Sequence, residues 1–338
     1  MTTLSTEPAA SGLPRCLESA AGAEQQLDRI STRTTGQAQR EATATVEAII
    51  ERVRHEGDRA LIALTEQFDG FRPEPLRVPA IELQQAWESS PANLRDALEL
   101  AHRRIQDFHQ RQKPQDLDVQ GVHGERLGRR WRPVQAAGLY VPGGRASYPS
   151  TVLMNAVPAR AAGVEKVVMV TPAGRTGQVN RTVLAAAHLA GVQEVYRIGG
   201  AQAVAALALG TETIPRVDVI SGPGNLYVTL AKKLVYGQVG IDSLAGPSEV
   251  LVIADGSASV AQVASDLLAQ AEHDPLAAAI LLTTSQSLAD ALPVELEAQL
   301  SRHPREAICR QSLGEWGLVV VCDNLETCAR LSDRFAPE

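Results

Sequence analysis

Apolar residues in the first third of the chain recur at the spacing of an α-helix. Val46, Ile49, Ile50 and Val53 are separated by three, one and three positions, a spacing that places their side chains on one helical face. A second stretch of helical character, IELQQAWESSPANLRDALELAHRRIQDFHQRQ, comes after a proline-rich link. Both stretches predict helices. Residues 1–30 are rich in Ala, Ser, Thr and Glu without periodicity, and they predict a flexible N-terminal arm.

From about Gly138 the pattern changes to short runs rich in β-branched residues. VEKVVMVTP, VQEVYRIGG and VDVISGPGN alternate with the helical stretches VNRTVLAAAHLAG and AQAVAALALG, and after Gly246 the rhythm continues with SEVLVIADG, AAAILLTTS and GLVVVCD. Such runs are typical of buried parallel strands joined by crossover helices. They predict an α/β fold with two incomplete Rossmann-like domains in tandem. We expect residues 135–245 to form one domain, and residues 31–134 together with 246–338 to form the other.

The overall composition is that of an ordinary globular protein. The 338 residues are 44% hydrophobic, carry a formal net charge of -7 and contain no long basic run, which argues against nucleic acid and anionic membrane surfaces as partners. No apolar stretch approaches the roughly 20 residues of a transmembrane helix. The four cysteines form no C-x-x-C pair. Reduced thiols and a cytoplasmic location are therefore predicted.

Three glycine-containing loops follow predicted strands. They are GLYVPGGRASYPS, IGGAQAVAAL and ISGPGNLYVT. None is the dinucleotide signature G-x-G-x-x-G, because Tyr227 occupies the third glycine position after Gly222 and Gly224. Small residues at strand ends nevertheless let backbone amides approach phosphate, although any one of these loops could serve only as a tight turn. Because ligands gather at the carboxyl ends of parallel strands, the three loops together predict a binding edge.

Gln270 and His273 lie three positions apart at the end of the apolar run VASDLLAQAEHDP, so we expect both on one face of a helix. An imidazole is a common zinc ligand and an amide oxygen is a rarer one. The spacing alone favours a simpler interpretation, in which His273 suits the dipole of a helix C-terminus and Pro275 ends the helix. Ser248, at the entry to a strand, could bind a substrate or close a turn.

A series of longer motifs occurs in one order along the chain. They are GLYVPGG, YPSTVLMNAVPARAAGV, IGGAQAVAALALGTETIPRVDVISGPGN, IDSLAGPSEVLVIAD, SDLLAQAEHDP and RFAPE. In this order they resemble the histidinol dehydrogenase family, and the resemblance extends from about Val46 to the last residue. Agreement over that length is far more specific than any single motif.

The resemblance implies an oxidoreductase of L-histidine biosynthesis with two aldehyde-dehydrogenase-like α/β domains. Members of the family oxidise L-histidinol to L-histidine through an enzyme-held aldehyde, in two hydride transfers to NAD. Zinc holds the amine and the imidazole of the substrate in that family. Its members are homodimers whose C-terminal tails reach into the partner's site.

The resemblance also implies roles for individual residues. Tyr140, Gln202 and Asn225 match the family's NAD contacts. Ser248 matches a substrate contact, and Gln270 and His273 match zinc ligands that also contact the substrate. Glu338 matches a catalytic glutamate that shares the acid–base work with a histidine.

The motif RFAPE ends at Glu338, whereas in the family it continues into that histidine. The family's two further zinc ligands and its tail also lie downstream. We therefore expect this chain, as given, to hold zinc poorly and to turn over little substrate.

Two other functions stay open on the sequence. One is a relative that binds NAD or a partner without turnover. The other is an aldehyde dehydrogenase that acts through a cysteine thioester, for which Cys322, after the run GLVVV, is the candidate nucleophile. Sensitivity to thiol alkylation distinguishes the second alternative from a zinc enzyme.

Overall fold

The computed structural model describes residues 12–17, 19–33, 37–143, 147–244, 246 and 248–337. They fall into two compact units. One unit contains the chain up to Gln39 and again from Gly246 onward, and the other runs from Arg40 to Ala245. Each unit is built on a parallel sheet, so the prediction of an α/β fold with parallel strands joined by helices is confirmed.

Strands and helices alternate through most of the chain. The strands are β1 (Arg15–Leu17), β2 (Leu117–Gln120), β3 (Arg126–Arg129), β4 (Ala136–Tyr140), β5 (Lys166–Val170), β6 (Glu194–Tyr196), β7 (Val219–Ser221), β8 (Gly240–Ile241), β9 (Glu249–Ala254), β10 (Ala278–Thr283) and β11 (Leu318–Val321). The helices are α1 (Ala23–Ser31), α2 (Gln37–Glu56), α3 (Asp58–Asp69), α4 (Ala80–Glu88), α5 (Ala92–Arg111), α6 (Pro149–Ala162), α7 (Arg181–Leu189), α8 (Gly200–Leu209), α9 (Leu226–Val235), α10 (Val260–Ala271), α11 (Gln286–Leu300), α12 (Glu306–Trp316) and α13 (Leu325–Phe335). Within the described ranges, no helix combines the length and the apolarity that crossing a bilayer requires.

The unit from Arg40 to Ala245 contains a parallel sheet with the strand order β6-β5-β4-β7-β8. In β5, Val168 and Val170 join one buried cluster, whereas Val167 and Met169 join another on the opposite face. Both faces are covered by helices, and this explains why the strand is apolar throughout. Strands β5 and β6 lie on one side of β4, and β7 and β8 lie on the other. The carboxyl ends of β4 and β7 therefore flank a topological switch point.

Helices α4 and α5 pack within this same unit. Leu83 and Leu98 of these helices share a buried cluster with Val152 of α6 and Val183 of α7. The division expected from the sequence, which joined residues 31–134 to 246–338, is therefore corrected for residues from Arg40 to 134. An amphipathic pattern shows that a helix covers a core, but it does not encode which sheet the helix covers.

The other unit contains a parallel sheet with the strand order β1-β11-β10-β9. Ala279 and Leu281 of β10 face a cluster formed with α10, α11 and α12. Ile280 and Leu282 of the same strand face a cluster formed with α1 and α13. As in the first sheet, both faces are covered, so β10 is buried along its whole length.

Residues 15–31 form β1 and α1, where the sequence predicts a flexible arm. Cys16 pairs with Val319 of β11, and Leu27 and Ile30 of α1 are buried against the sheet. The prediction fails here because a three-residue strand shows no periodicity, and because its pairing partner lies near the other end of the chain. Composition alone underestimates a segment that is ordered by such distant contacts.

Candidate functional site

A cavity of about 780 Å³ lies at the carboxyl edge of the sheet in the Arg40–Ala245 unit. Its lining includes Tyr140, the last residue of β4, Pro172 after β5, and Gly200 at the start of α8. Gln202 and Asn225 complete this part of the wall. The fold thus brings the three predicted NAD contacts to one cavity at the switch point, where doubly wound folds bind dinucleotides. Its volume lies in the range of ordinary ligand pockets.

Tyr140 is buried, and its hydroxyl oxygen accepts a hydrogen bond from the backbone N–H of Gly200 at 3.1 Å. That N–H belongs to the first turn of α8, where backbone donors have no helical partner. Burial raises the pKa of Tyr140 to about 12, and the negative charge of Asp69 adds to the rise, against the bond from Gly200. The side chain is therefore a neutral phenol near pH 7, and it fixes the start of α8.

Gly222, in the loop after β7, has a backbone φ of +121°. A Cβ atom at this position would overlap the carbonyl oxygen of Tyr140. Glycine is therefore required both by the backbone conformation and by the close approach of the loop to β4. This explains one glycine of the motif ISGPGNLYVT on structural grounds, independent of any ligand.

Gln202 lies in the first turn of α8, and only 2% of its surface is exposed. Its Oε1 atom is buried and has no hydrogen-bond partner among the residues that the structure describes. A buried acceptor without a donor costs about 1–3 kcal/mol, so a ligand that brings an N–H or O–H group to this atom would remove the cost. The predicted cofactor contact is thus an acceptor that the protein leaves available.

Asn225 is the N-cap of α9, and its Oδ1 atom accepts from the backbone N–H of Val228 at 3.2 Å. Helices α8 and α9 both begin at the cavity, so the partial positive charges of two helix N-termini are directed toward it. This arrangement suits the phosphates of a dinucleotide. Together with the Gln202 acceptor and the cavity volume, it shows that the residues present fit NAD.

An ion pair between a buried lysine and a partly exposed aspartate holds the loop after β7. The Lys232 ammonium pairs with the Asp242 carboxylate and donates to the carbonyl oxygen of Gly222 at 3.1 Å. The other oxygen of Asp242 accepts from the backbone N–H of Gly222 at 2.8 Å. The backbone N–H and the carbonyl oxygen of Gly222 thus both bond to the same ion pair, which fixes the loop that leads into Asn225.

The predicted substrate and zinc residues belong to the other unit, where they lie at the amino edge of the sheet. Ser248 is exposed and precedes β9, and its carbonyl oxygen accepts from the N–H of Ala278 at the start of β10. Gln270 lies in the last turn of α10, which ends at Ala271. His273 therefore falls beyond the helix, in an exposed turn, so the expectation of two helical residues is corrected. The turn is still closed by a bond from the His273 N–H to the Gln270 carbonyl at 3.1 Å.

Ionic contacts hold this amino edge. The side chain of Arg33, 1% exposed, donates to Glu249 Oε1 at 2.7 Å and to the carbonyl oxygen of Leu276 at 2.7 Å. Arg305 donates to the carbonyl oxygen of His273 at 3.4 Å, and His303 lies 3.5 Å from Glu272. The turn that carries His273 is thus fixed on both sides by charged groups.

Zinc fits these residues less completely than NAD fits the first cavity. The Nε2 atom of Gln270 is buried and finds no acceptor within the described part of the chain, which is consistent with a binding role for this amide. No group of three His, Cys, Asp or Glu side chains that could hold a metal occurs among the described residues. An imidazole and an amide do not complete a zinc site, so no chemical step is assigned to the metal. Glu338 and residues 144–146 lie outside the described residues.

Comparison with known proteins decides the family. The model of the family described as histidinol dehydrogenase matches residues 32–338. The chain belongs to the histidinol dehydrogenase family. It is 71% identical over 328 residues to a histidinol dehydrogenase from Prochlorococcus marinus, covering 97% of this chain and 74% of that protein. It is 66% identical over 324 residues to one from Parasynechococcus marenigrum, covering 96% of this chain and 74% of the relative.

Structural comparison agrees with the family assignment. The crystal structure of histidinol dehydrogenase from Elizabethkingia anophelis superimposes with a TM-score of 0.87 at 36% sequence identity. The match covers 98% of this chain and 75% of that chain. The resemblance inferred from the ordered motifs is therefore confirmed.

Membership of the histidinol dehydrogenase family does not favour a cysteine mechanism, and neither does the structure. Cys322 is buried, and this burial raises the pKa of its thiol to about 12, with Cys328 contributing. A nucleophilic cysteine needs a lowered pKa and access to substrate. Cys309 is also buried, with a pKa raised to about 11, mainly by burial. Neither thiol has the properties of the thioester-forming residue that the alternative requires.

Sequence reasoning missed the charged residues that shape both edges. Lys232 and Asp242 support the cavity loop, and Arg33 supports the turn after α10. Asp69, the last residue of α3, lines the cavity itself. Lys232 and Asp69 lie in helices, where a charged residue normally marks the solvated face, and Arg33 and Asp242 lie outside the helices and strands. The sequence therefore gives no local signal for these four.

Proposed function

We propose that this chain is an NAD-dependent oxidoreductase that converts L-histidinol to L-histidine through L-histidinal, in the biosynthesis of L-histidine. The observation that carries the proposal is the cavity where Tyr140, Gln202 and Asn225 meet, at the edge where dinucleotides bind. Family membership supports the substrate, since the relatives that match most of the chain are named histidinol dehydrogenases.

NAD supplies the hydride acceptor for both oxidation steps. The residues of the cavity would hold it: Gln202 Oε1 would accept a hydrogen bond from an N–H or O–H group of the cofactor, and the N–H groups in the first turns of α8 and α9 would bind its phosphates. Tyr140 stays neutral and accepts a hydrogen bond from the N–H of Gly200, which fixes the start of α8 at the cavity.

For the substrate we propose Ser248, Gln270 and His273 as contacts, with Gln270 and His273 also binding zinc. The C-terminal end of α10, with its partial negative charge, suits the cationic amine of histidinol and a divalent ion alike. Glu338 is proposed to take part in moving the alcohol proton and in activating water against the aldehyde. A homodimer and a cytoplasmic location are part of the same proposal.

Calorimetric titration of the chain with NAD, together with NADH formation from L-histidinol, tests the proposal. Gln202→Leu removes an acceptor that is buried without a donor in the described structure, so we expect the variant to be at least as stable as the wild type. It should bind NAD roughly tenfold more weakly, as expected for the loss of one buried hydrogen bond. Gln106→Ala, at an exposed position of α5, serves as the control and should change neither quantity.

Failure of the wild-type chain to bind NAD at millimolar concentration contradicts the proposal. Binding of NAD without any NADH formation favours a relative that binds the cofactor without turnover. Two equivalents of NADH per histidinol in the wild type, with slower NADH formation by Gln202→Leu at NAD concentrations below saturation, support the oxidoreductase.

A further inference from the structure

Asp69 places a carboxylate in the cofactor cavity. It is the last residue of α3 and lines the cavity with Tyr140, Gln202 and Asn225. Its Oδ2 atom is buried and makes no hydrogen bond to any described residue. The carboxylate also lies close enough to Tyr140 for its charge to raise the pKa of that phenol. An anionic acceptor therefore lies in the cavity beside the neutral acceptor of Gln202.

The local structure does not explain this carboxylate. The C-terminus of a helix carries partial negative charge, so an aspartate at the last position of α3 is electrostatically unfavourable. The helix is ended by Gly70, which adopts a left-handed conformation and donates its N–H to the carbonyl oxygen of Glu66. Burial raises the pKa of Asp69, and no described residue bonds to its Oδ2 atom, so the charged form of this carboxyl is disfavoured at this position. A group that costs stability in this way is typical of a binding site.

We propose that the Asp69 carboxylate accepts hydrogen bonds from the hydroxyls of a ribose of the dinucleotide. The inference rests on the proposed function, because it assumes that NAD is the ligand of this cavity. A carboxylate needs donors and repels phosphate, so the diphosphate and the phosphate-facing helix N-termini are not its partners. Two vicinal hydroxyls offer two donors to its two oxygens, as an acidic residue does for ribose in other doubly wound folds. The chemistry is the same for either ribose of NAD.

The test combines variants of Asp69 with cofactors that lack one hydroxyl. Calorimetric titration with NAD measures the affinity of wild type, Asp69→Asn and Asp69→Ala. Loss of a charge-assisted hydrogen bond weakens binding about tenfold or more, so Asp69→Ala should lose at least that factor and Asp69→Asn less. Glu66→Gln removes the same charge from an exposed position one turn earlier on α3 and should leave the affinity unchanged.

Two deoxy cofactors then identify the ribose. NAD lacking the 2′-hydroxyl of the adenosine ribose, and NAD lacking that of the nicotinamide ribose, are titrated against wild type and Asp69→Ala. We expect one of the two analogues to bind the wild type several-fold more weakly than NAD does. Asp69→Ala should not weaken the binding of that analogue any further, because the hydroxyl and the carboxylate form a single contact. If it is the adenosine analogue, the wild type should also discriminate against the 2′-phosphate of NADP.

The outcomes separate this inference from the proposed function. If the wild type does not bind NAD, the proposed function fails. If Asp69→Ala binds NAD as tightly as the wild type does, only the role of Asp69 is overturned. The same holds if removal of each hydroxyl weakens binding by the same factor in the wild type and in Asp69→Ala. Thermal melting monitors folding, and since the variants remove an unfavourable buried charge they should melt no lower than the wild type. Should Asp69→Ala fail to fold, equal binding of NAD and both deoxy cofactors to the wild type would still overturn the inference.

Discussion

The two sheets carry their candidate residues at opposite kinds of edge. In the Arg40–Ala245 unit, Tyr140, Gln202 and Asn225 lie at the carboxyl edge, where loops and helix N-termini surround a cavity of about 780 Å³. In the other unit, Ser248, Gln270 and His273 lie at the amino edge, beside the C-terminus of α10. One edge therefore offers backbone N–H groups and partial positive charge, and the other offers side chains beside partial negative charge.

This contrast matches the chemistry proposed for each edge. A dinucleotide is an anion that is bound largely through its phosphates, and backbone amides at helix N-termini suit it. Histidinol carries an amine and an imidazole, and a helix C-terminus with carbonyl and amide oxygens suits a cation. The cofactor edge depends on how closely the backbone can approach its ligand. The substrate edge depends on how firmly a few side chains are held.

The two edges also differ in the ion pairs that support them. The largest expected effect on stability comes from substitution of Arg33. Arg33→Met removes the contact between the Arg33 guanidinium and Glu249, which is 14% exposed, and also removes the donor to the Leu276 carbonyl. Breaking a buried pair from one side costs about 3–5 kcal/mol, so we expect the free energy of unfolding to fall by about 4 kcal/mol. Urea denaturation measures the loss, and hydrogen exchange should show faster opening of β9 and β10 with β5 unchanged.

Arg330→Met is the matched control in the same unit. Arg330 pairs with Glu24 across an exposed surface, where both side chains are about half exposed. Such pairs contribute at most about 1 kcal/mol. Equal losses in Arg33→Met and Arg330→Met would mean that the amino edge does not depend on a buried ionic contact.

The corresponding change at the cofactor edge is Lys232→Met. It leaves the Asp242 carboxylate and the Gly222 carbonyl without their cation, but Asp242 is 35% exposed, so solvent reduces the cost. We expect a loss of about 3 kcal/mol in the free energy of unfolding, together with weaker NAD binding as the loop before Asn225 loosens. Calorimetry and urea denaturation measure the two effects. The neighbouring Lys233 is exposed, and Lys233→Met should change neither; a similar effect of both substitutions would contradict the loop-support role.

These two lysines illustrate what the sequence can and cannot predict. The run YVTLAKKLV predicts a helix, and the glycines before it predict a loop at a strand end, because both signals are local. Nothing in the run distinguishes Lys232 from Lys233. Their difference arises from the position of Asp242 after β8, which only the folded sheet determines. The same holds for Asp69, which on the sequence is one more acidic residue near a helix end.

The predicted elements follow the same rule. The valine-rich strands were predictable because a strand buried on both faces must be apolar, and β5 and β10 meet that condition along most of their length. Strand β1 was not, since its three residues become a strand only through pairing with β11. The end of α10 was misplaced by two residues, because Pro275 signals the stop without fixing the exact turn.

The smallest expected effect is that of Tyr140. It tests whether water is excluded from the cavity wall at the cofactor edge, as the burial of this side chain indicates. The pKa of its phenol is about 12 in the folded chain, against 10.0 for the ordinary value, mainly because of burial. Between those values the unfolded chain ionises and the folded chain does not, so stability present below pH 10 is lost as the pH rises toward 12. Relative to Tyr140→Phe, which cannot ionise, the wild type should lose about 2 kcal/mol over this range. At pH 8 the order is reversed, because Tyr140→Phe leaves the Gly200 N–H without its acceptor, at a cost of about 1 kcal/mol.

Urea denaturation of both proteins at pH 8, 10, 11 and 12 measures the difference in the free energy of unfolding. The pKa of Tyr196 is also raised by burial, but this residue is common to both proteins, so its contribution cancels. Parallel stability curves, or phenolate absorbance from Tyr140 near pH 10, would show that water enters the cavity wall at β4.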